Sequence, residues 1–442
     1  MQLSTTPLEV TYLRTTSLKP DPRNPRVHSD KQVRQIAQSI ESFGFNVPLL
    51  IDDQQKVIAG HGRLLAACKM GWDTVPAIKL SHLTESQRMA FLIADNRLTE
   101  NSTWDERMLG EQLKILSELK LDFDLEAIGF EVPEIDLLID GLNTVPEADP
   151  DDRLPEIAES AISVAGDLWQ LGKHRVLCGN SLLAASYERL MDGAKADLLI
   201  TDPPYNVVID GHATGLGKIH HREFGMASGE MSSTEFTDFL RKAMLAARDH
   251  SIAGSLAYYF MDWRHMTELL SAGQEVYTEL LNLCVWAKSN GGMGSFYRSA
   301  HELVFLFKNG TGSHRNNVQL GKFGRYRTNV WNYPGANSFS RSDSEGNLLA
   351  LHPTPKPVAL IADAIKDCTA RGDLVLDPFL GSGTAIIAAE RSGRRCYGLE
   401  LDPLYVDTII RRWQRQTKLE AVHVETGETF NSRDTTQGTN RP

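Results

Sequence analysis

Leu374-Val375-Leu376-Asp377-Pro378-Phe379-Leu380-Gly381-Ser382-Gly383-Thr384 is the stretch that decides the fold class. Three apolar residues closed by an acid read as a short buried strand, the glycines as a tight turn, and Thr384 as the start of a helix. Glycines let the backbone approach a ligand closely, and the helix N-terminus after them offers free N–H groups. A carboxylate suits those N–H groups, and an ammonium suits Asp377. Many strand–helix junctions carry Gly-x-Gly, so the turn takes its meaning from its surroundings. The next strand ends at Tyr397-Gly398-Leu399-Glu400, where an acid about 20 residues on is placed for ribose hydroxyls. Glu400 fits that position better than Asp402.

Outward from this pair, short apolar runs alternate with helical patterns. Strands are expected at 176–179, 197–201, 256–261, 283–287, 302–307, 374–376 and 396–399, and helices at 233–247, 358–368, 384–392 and 404–416. Such alternation indicates an α/β, doubly wound parallel sheet, whose ligands sit beyond the carboxyl ends of the strands. Residues 8–115 read as a smaller α/β unit, with helices at 31–43, 63–70 and 85–96 and strands at 49–52 and 56–59. Residues 116–160 read as a helical and acidic linker, and 419–442, polar and rich in Thr, Gln and Asn, as a disordered tail.

Thr201-Asp202-Pro203-Pro204-Tyr205-Asn206 follows the strand expected at 197–201. Two prolines fix the backbone and remove two donors, so the Pro203 carbonyl can face a ligand beside the Asp202 carboxylate. Two adjacent acceptors suit an –NH2 group, and the Tyr205 ring offers a surface for a base to stack on. A proline-rich turn ending a strand is the plainer reading of the same residues. His352-Pro353-Thr354-Pro355-Lys356-Pro357 opens the helix at 358–368; alone it is a proline start signal with a solvated lysine.

The net charge of −11 argues against a nucleic-acid partner until it is located. Residues 121–160 hold one base, Arg153, against thirteen acids. The stretch 286–357 reverses this, with nine bases (Lys288, Arg298, Lys308, Arg315, Lys322, Arg325, Arg327, Arg341, Lys356) against Glu302, Asp343 and Glu345. A stretch of that sign binds phosphate even in an acidic chain. The acidic segment is accordingly expected to be a spacer facing away from a duplex, dispensable to a catalytic fragment starting near 158. The five cysteines are scattered with no CxxC pair, which argues against a zinc site and fits a reducing cytoplasm. No apolar run reaches the ~18 residues a membrane span needs.

With these motifs in hand, residues 161–418 resemble DNA amino-methyltransferases of the permuted group, in which DPPY precedes the FxGxG loop. The resemblance runs through GDLWQLGKHRVLCGN (166–180), TDPPYN, YRSAHELVFLFK (297–308), HPTPKP, VLDPFLGSGT and YGLELDPLY (397–405). It implies that Asp202, Pro203, Pro204 and Tyr205 hold a flipped-out target amine. It implies that Asp377, Phe379, Gly381, Gly383, Thr384 and Glu400 bind S-adenosylmethionine, with Thr354 and Lys356 closing the pocket. Asn180 stands where the family usually has Asp, near the cofactor's adenine amine. The family acts on adenine N6 or cytosine N4; Asp at 202 favours adenine. Cytosine-C5 chemistry needs a Pro-Cys nucleophile, and none of the five cysteines follows a proline.

Residues 8–110 resemble the ParB N-terminal domain through LKPDPRNPR (18–26), VIAGHGRLLAA (57–67) and DNRL (95–98). That resemblance implies a nucleotide-phosphate loop at Gly60 and Arg63, although the Glu-Arg that usually precedes the last Arg of the ParB loop is missing. The partners expected are double-stranded DNA, read by 286–350 through Arg298, Lys322, Arg325 and Arg327, with room for a nucleotide and a homodimer. The loop at 212–226 is expected to close over the flipped base. A different class stays open: a ParB-like DNA-binding regulator whose methyltransferase fold does no chemistry.

Overall fold

The computed structural model describes residues 8–100, 104–142, 149–152, 154–155, 160–206, 229–288, 296–322, 327–334 and 356–439. The chain divides into two compact units, Met1–Asn143 and Thr144–Pro442, described separately.

The first unit has strands β1 (Val10–Arg14), β2 (Leu49–Ile51), β3 (Val57–Ala59) and β4 (Thr74–Lys79) in the order β1-β4-β2-β3. Its helices are α1 (Asp30–Phe43), α2 (His61–Lys69) and α3 (Glu85–Glu100). Ser29 starts α1 by accepting a hydrogen bond from the Gln32 N–H, which satisfies one of the orphan donors of the first turn. Leu49, Ile51, Val57, Leu64, Val75 and Ala77 close the core between sheet and helices. Two further helices, α4 (Glu106–Glu118) and α5 (Val132–Asp140), pack on each other through Leu113, Ile135 and Ile139. They approach so closely at Gly110 that a Cβ there would lie 2.6 Å from the Leu138 carbonyl oxygen. The first half of the expected helical linker thus holds α5, packed on α4.

The second unit is built on β5 (Leu168–Leu171), β6 (His174–Cys178), β7 (Ala196–Thr201), β8 (Ser251–Met261), β9 (Glu279–Ala287), β10 (His301–Lys308), β11 (Val330–Asn332), β12 (Leu374–Asp377), β13 (Arg395–Glu400) and β14 (Val422–His423). The sheet order is β11-β9-β10-β8-β7-β12-β13-β6-β5-β14. Its centre, β8-β7-β12-β13-β6, is parallel throughout. The flanks correct the expectation of a purely parallel sheet: β10 runs antiparallel to both β8 and β9, and β5 to both β6 and β14. The reason is connectivity, since only residues 288–300 join β9 to β10, with no helix among those described, whereas a parallel pair requires a crossover.

Side chains alternate along β8, with Leu256, Tyr258 and Phe260 entering one core and Ala257, Tyr259 and Met261 the other. Helices α9 (Val358–Cys368), α10 (Thr384–Arg391) and α11 (Pro403–Thr417) cover the first face. Helices α6 (Ala184–Met191), α7 (Ser233–Asp249) and α8 (Met266–Val276) cover the second. The chain is thus doubly wound, and the sheet reverses its order of construction between β7 and β12. The expected disordered tail is a second correction. Residue Phe430 is buried with its ring 5.5 Å from that of Trp169, β14 extends the sheet, and α12 (Phe430–Thr439) follows. Phe430, the β14 pairing and the Arg433–Asp167 ion pair together hold this polar segment on the core.

Candidate functional site

The carboxyl ends of β7 and β12 lie side by side at the switch point, where an open α/β sheet forms its crevice. They are joined directly: the buried Thr201 hydroxyl donates to Asp377 Oδ1 at 2.7 Å. The first residue of the DPPY segment and the acid before the glycine loop thus share one floor.

Beyond β12 the loop is held from three sides. Phe379 N–H donates to Asp377 Oδ1 at 3.0 Å, and Gly381 N–H to Glu400 Oε2 at 2.8 Å. Gly381 and Gly383 both take positive φ, 52° and 82°. Gly383 forms the left-handed cap of α10 and has no side chain of its own to cap the first-turn N–H groups. A Cβ on Gly383 would lie 2.8 Å from Ile409 Cγ1, so packing by α11 as well as backbone conformation excludes a side chain there. From beneath, the fully buried Arg412 donates through Nη1 to the Ser382 carbonyl at 3.0 Å and to Thr384 Oγ1 at 3.1 Å. Burial pulls this guanidinium down to about 10.

Burial also pushes both strand-end acids up, Asp377 and Glu400 each to about 7, against the hydrogen bonds that favour their ionised forms. Two carboxyls of raised pKa, one buried and one half-buried, beside a helix N-terminus capped only by glycine backbone, form a donor and acceptor set that fits a ligand bearing an ammonium, hydroxyls and a carboxylate. Glu400 has a structural duty that its ribose assignment missed. Its Oε1 accepts from Asp402 N–H at 2.9 Å, so both oxygens brace backbone. Asn180 Oδ1 is likewise used locally, accepting from Leu182 N–H at 2.9 Å. Thr384 faces Arg412 and the Lys356 carbonyl.

Beyond β7, the part-exposed Asp202 is held on both oxygens. Tyr205 donates its hydroxyl to Oδ1 at 2.5 Å, and the buried Lys356 places Nζ 2.5 Å from Oδ2. Lys356 is not the solvated lysine of the plainer reading. Its ammonium also lies 3.1 Å from Glu302 Oε2, and the Lys288 ammonium is 2.5 Å from Glu302 Oε1. The rings of Tyr205, Phe260 and Trp286 surround Lys356 Nζ at 5.6, 5.3 and 5.9 Å. Burial alone would raise Glu302, but the Lys356 and Lys288 ammoniums outweigh it and hold the carboxyl at about 2. Burial raises Asp202 against the pull of Lys356. Burial would lower Lys356, but Asp202 and Glu302 outweigh it and raise it. Asn206, in left-handed conformation, accepts from Gly229 and Met231 N–H and donates to the Met231 carbonyl at 2.7 Å, tying the end of the TDPPYN segment to the residues just before α7.

Glu302, Lys288, Asn206 and Arg412 were not singled out in the sequence. Glu302 stands in an apolar strand run, HELVFLF, where a buried acid announces itself only by its company.

The residues assigned to DNA divide. Arg298 and Lys322 are exposed, and Phe296 and Tyr297 beside Arg298 are 86% and 81% exposed. Arg327 is corrected: its Nε donates to Asp367 at 3.0 Å and its Nη1 to the Tyr333 hydroxyl at 2.7 Å, which commits it to the fold. Arg325, Thr354 and the loop at 212–226 lie outside the described residues.

The acidic spacer is corrected as well. Asp149 pairs with Arg391. The Asp151 carbonyl accepts from Arg412 Nε at 3.2 Å and Nη2 at 2.8 Å. Asp152 Oδ1 accepts from Val358 N–H at 2.8 Å, capping α9 two residues after Lys356. These acids serve the cofactor-loop side of the sheet.

In the first unit Gly60, at φ 95°, caps α2, and the guanidinium of Arg63 folds back toward it while donating to the Val47 carbonyl at 2.9 Å. Among the described residues no helix is long and apolar enough to cross a membrane.

Comparison with known proteins finds three matching families, one of which, at 107–165, crosses the boundary between the two units. Residues 196–411 match the DNA methylase family, 107–165 the ParB-methyltransferase HTH domain and 1–97 the ParB N-terminal domain. The first unit is similar to the ParB-like nuclease domain-containing protein YnaK of Escherichia coli (strain K12), 44% identical over 81 residues, covering 18% of this chain and 93% of that protein. The second is similar to the type II methyltransferase M2.DpnII of Streptococcus pneumoniae, 25% identical over 230 residues, covering 50% of this chain and 84% of that protein. Among solved structures, the putative DNA modification methylase TTHA0409 from Thermus thermophilus, crystallised with S-adenosylmethionine, aligns over 58% of this chain and 96% of its own at 20% identity and a TM-score of 0.38.

Proposed function

Because residues 196–411 match the DNA methylase family, behind matches to the ParB N-terminal domain and the ParB-methyltransferase HTH domain, we propose that the chain methylates the N6 amine of adenine in DNA, with S-adenosylmethionine as donor. The observation that carries this is the Thr201–Asp377 hydrogen bond, which fastens the amine-acceptor segment to the cofactor segment at the switch point.

The Asp377 carboxylate receives the donor's ammonium, the N-terminus of α10 its carboxylate, and Glu400 its ribose while bracing the loop. S-adenosylmethionine supplies an electrophilic methyl group: the amine lone pair forms the N–C bond, the S–C pair stays on sulfur, and one N–H proton must leave. Asp202 and the Pro203 carbonyl accept the two amine hydrogens, which directs the lone pair, and Tyr205 packs against the base. A base in a duplex cannot reach this floor, so it is flipped out first. Rate comes from proximity and orientation, with Asp202 as first acceptor of the proton. Arg298 and Lys322 contact phosphates near the target, and the first unit positions the enzyme on DNA.

Modified-base sequencing of DNA from cells expressing the protein tests this. N6-methyladenine at a fixed sequence, absent with Asp202→Ala, supports it. N4-methylcytosine would overturn the choice of base, since that amine also offers two hydrogens. Unmodified DNA with a folded, DNA-binding protein would favour the regulator.

A further inference from the structure

Both donors that occupy Asp202 have a second seat, and it is the same atom. Tyr205 Oη lies 2.5 Å from Asp202 Oδ1 and 3.1 Å from Glu302 Oε2. Lys356 Nζ lies 2.5 Å from Asp202 Oδ2 and 3.1 Å from that same Glu302 Oε2. The hydroxyl and the ammonium each draw on the Asp202 charge from 2.5 Å, so its carboxylate is a stronger acceptor for an amine once they move off. The ammonium cannot retreat to water. Its side chain is only 5% exposed, it is enclosed by Tyr205, Phe260 and Trp286, and an unpaired buried charge is too costly to form.

Resting on the methyltransferase reading above, we propose that Glu302 is a positioning residue, the alternative anion onto which Lys356 and Tyr205 move when the target amine takes Asp202. The shift is local. It leaves the two acids and two lysines of the cluster mutually neutralised, with Lys288 fixing the other Glu302 oxygen at 2.5 Å. As the amine gains its methyl group, one N–H bond breaks and the proton passes to the vacated Asp202 oxygen. Glu302 does not compete for that proton, because Lys356 and Lys288 overcome the effect of burial and keep it ionised.

The test uses the full-length protein and a duplex carrying the site found by modified-base sequencing. Glu302→Gln removes the second anion but keeps the shape, so Lys356 stays on Asp202. Single-turnover transfer should fall by about 10²-fold, while calorimetric S-adenosylmethionine affinity and duplex affinity stay within about threefold. Adding Lys356→Met to Glu302→Gln should then recover at least about tenfold, because the cation that competes for the Asp202 charge is gone. A purely structural Glu302 gives the opposite result, the double variant being slower still. The acid limb of the rate profile should also move to lower pH in Glu302→Gln. The groups facing Asp202 are Lys356, Tyr205, Glu302 and, through Thr201, Asp377, and of these only a raising influence is lost. If Glu302→Gln does not fold, Glu302→Asp, with its shorter reach, should show a smaller loss with the same rescue. Near wild-type transfer by Glu302→Gln, or no rescue by Lys356→Met in either background, overturns the proposal. A wild-type protein that methylates no DNA overturns the methyltransferase reading itself.

Discussion

A fragment beginning at residue 144 and one beginning at 158 differ only in the segment read from sequence as an acidic spacer, and the structure gives that difference a size. The longer fragment keeps the Asp151 carbonyl that accepts two N–H groups of Arg412, and Asp152 on the first N–H of α9. Hydrogen bonds to charged groups contribute at least about 1.5 kcal/mol each and a helix cap about 1 kcal/mol, so the shorter fragment loses about 4 kcal/mol. The loss of buried Leu154 adds to this. Arg412 is also left deep in the core with donors unsatisfied, so its grip on Ser382 and Thr384 loosens. Against a typical stability of about 5–15 kcal/mol this is severe, and for a unit of this size it corresponds to a fall of about 10 °C in Tm. Thermal melts followed by circular dichroism, with calorimetric titration of S-adenosylmethionine at about 20 °C, measure both effects. The 158 fragment should melt about 10 °C lower and bind the cofactor at least about tenfold more weakly. Equal Tm and equal affinity would refute the reasoning and return the segment to the role of a spacer.

Asp202→Ala should cut single-turnover transfer by about 10³-fold while leaving S-adenosylmethionine affinity within about threefold, since it removes only an amine acceptor. Gly383→Ala, at positive φ and against Ile409, should cost about 2 kcal/mol and weaken cofactor binding, and Ile409→Ala in the same chain should restore part of the stability as judged by denaturant melts. Arg298→Ala and Lys322→Ala should each reduce the salt slope of DNA binding by about one, measured by anisotropy titrations; Arg327→Ala should lower Tm and leave the slope unchanged, because its partner is Asp367. Calorimetry across pH should show cofactor affinity weakening as pH falls from about 7 to about 5.5. Asp377 and Glu400 sit at about 7 because of burial, so both take up protons in that window: Asp377 loses its attraction for the ammonium and Glu400 weakens as an acceptor for the ribose and the loop, and Asp377→Asn should flatten the profile.

Much of this was legible because the signals were local. The apolar runs ending in Thr201, Asp377 and Glu400 gave their strands directly, and the helix at 358–368 has the expected bounds. What stayed hidden was non-local or contrary to local preference. Strand β4 contains Pro76, which reads as a breaker, yet it pairs with Tyr12 across the sheet. Strands β9 and β10 look like any buried runs, and only the short connection between them, residues 288–300, points to antiparallel pairing. The polar tail after Thr417 gave no hint that Phe430 would pack on Trp169, two hundred and more residues away. The site divided along the same line. Asp202 and Asp377 stand in motifs, whereas Glu302 and Arg412 acquire meaning only when the fold brings Lys356 and Ser382 to them.

The charge count shows why composition alone misjudges this surface. The stretch 286–357 holds nine bases, but Lys288 and Lys356 turn inward to neutralise Glu302 and Asp202, and Arg327 is spent on Asp367. Arg325 and Arg341 lie outside the described residues, which leaves Arg298, Arg315 and Lys322 exposed among the rest. Three phosphate contacts give a salt slope of only about −3, against about −8 for nine. The described part of this surface therefore cannot hold DNA by charge alone, and the exposed Phe296 and Tyr297 beside Arg298 gain importance. Rings stacking on bases lose no affinity as counterions accumulate, so a Phe296→Ala, Tyr297→Ala protein should bind more weakly at every salt concentration with an unchanged slope. Charge substitutions at Arg298 and Lys322 change the slope instead, and that contrast separates the two contributions on one titration axis.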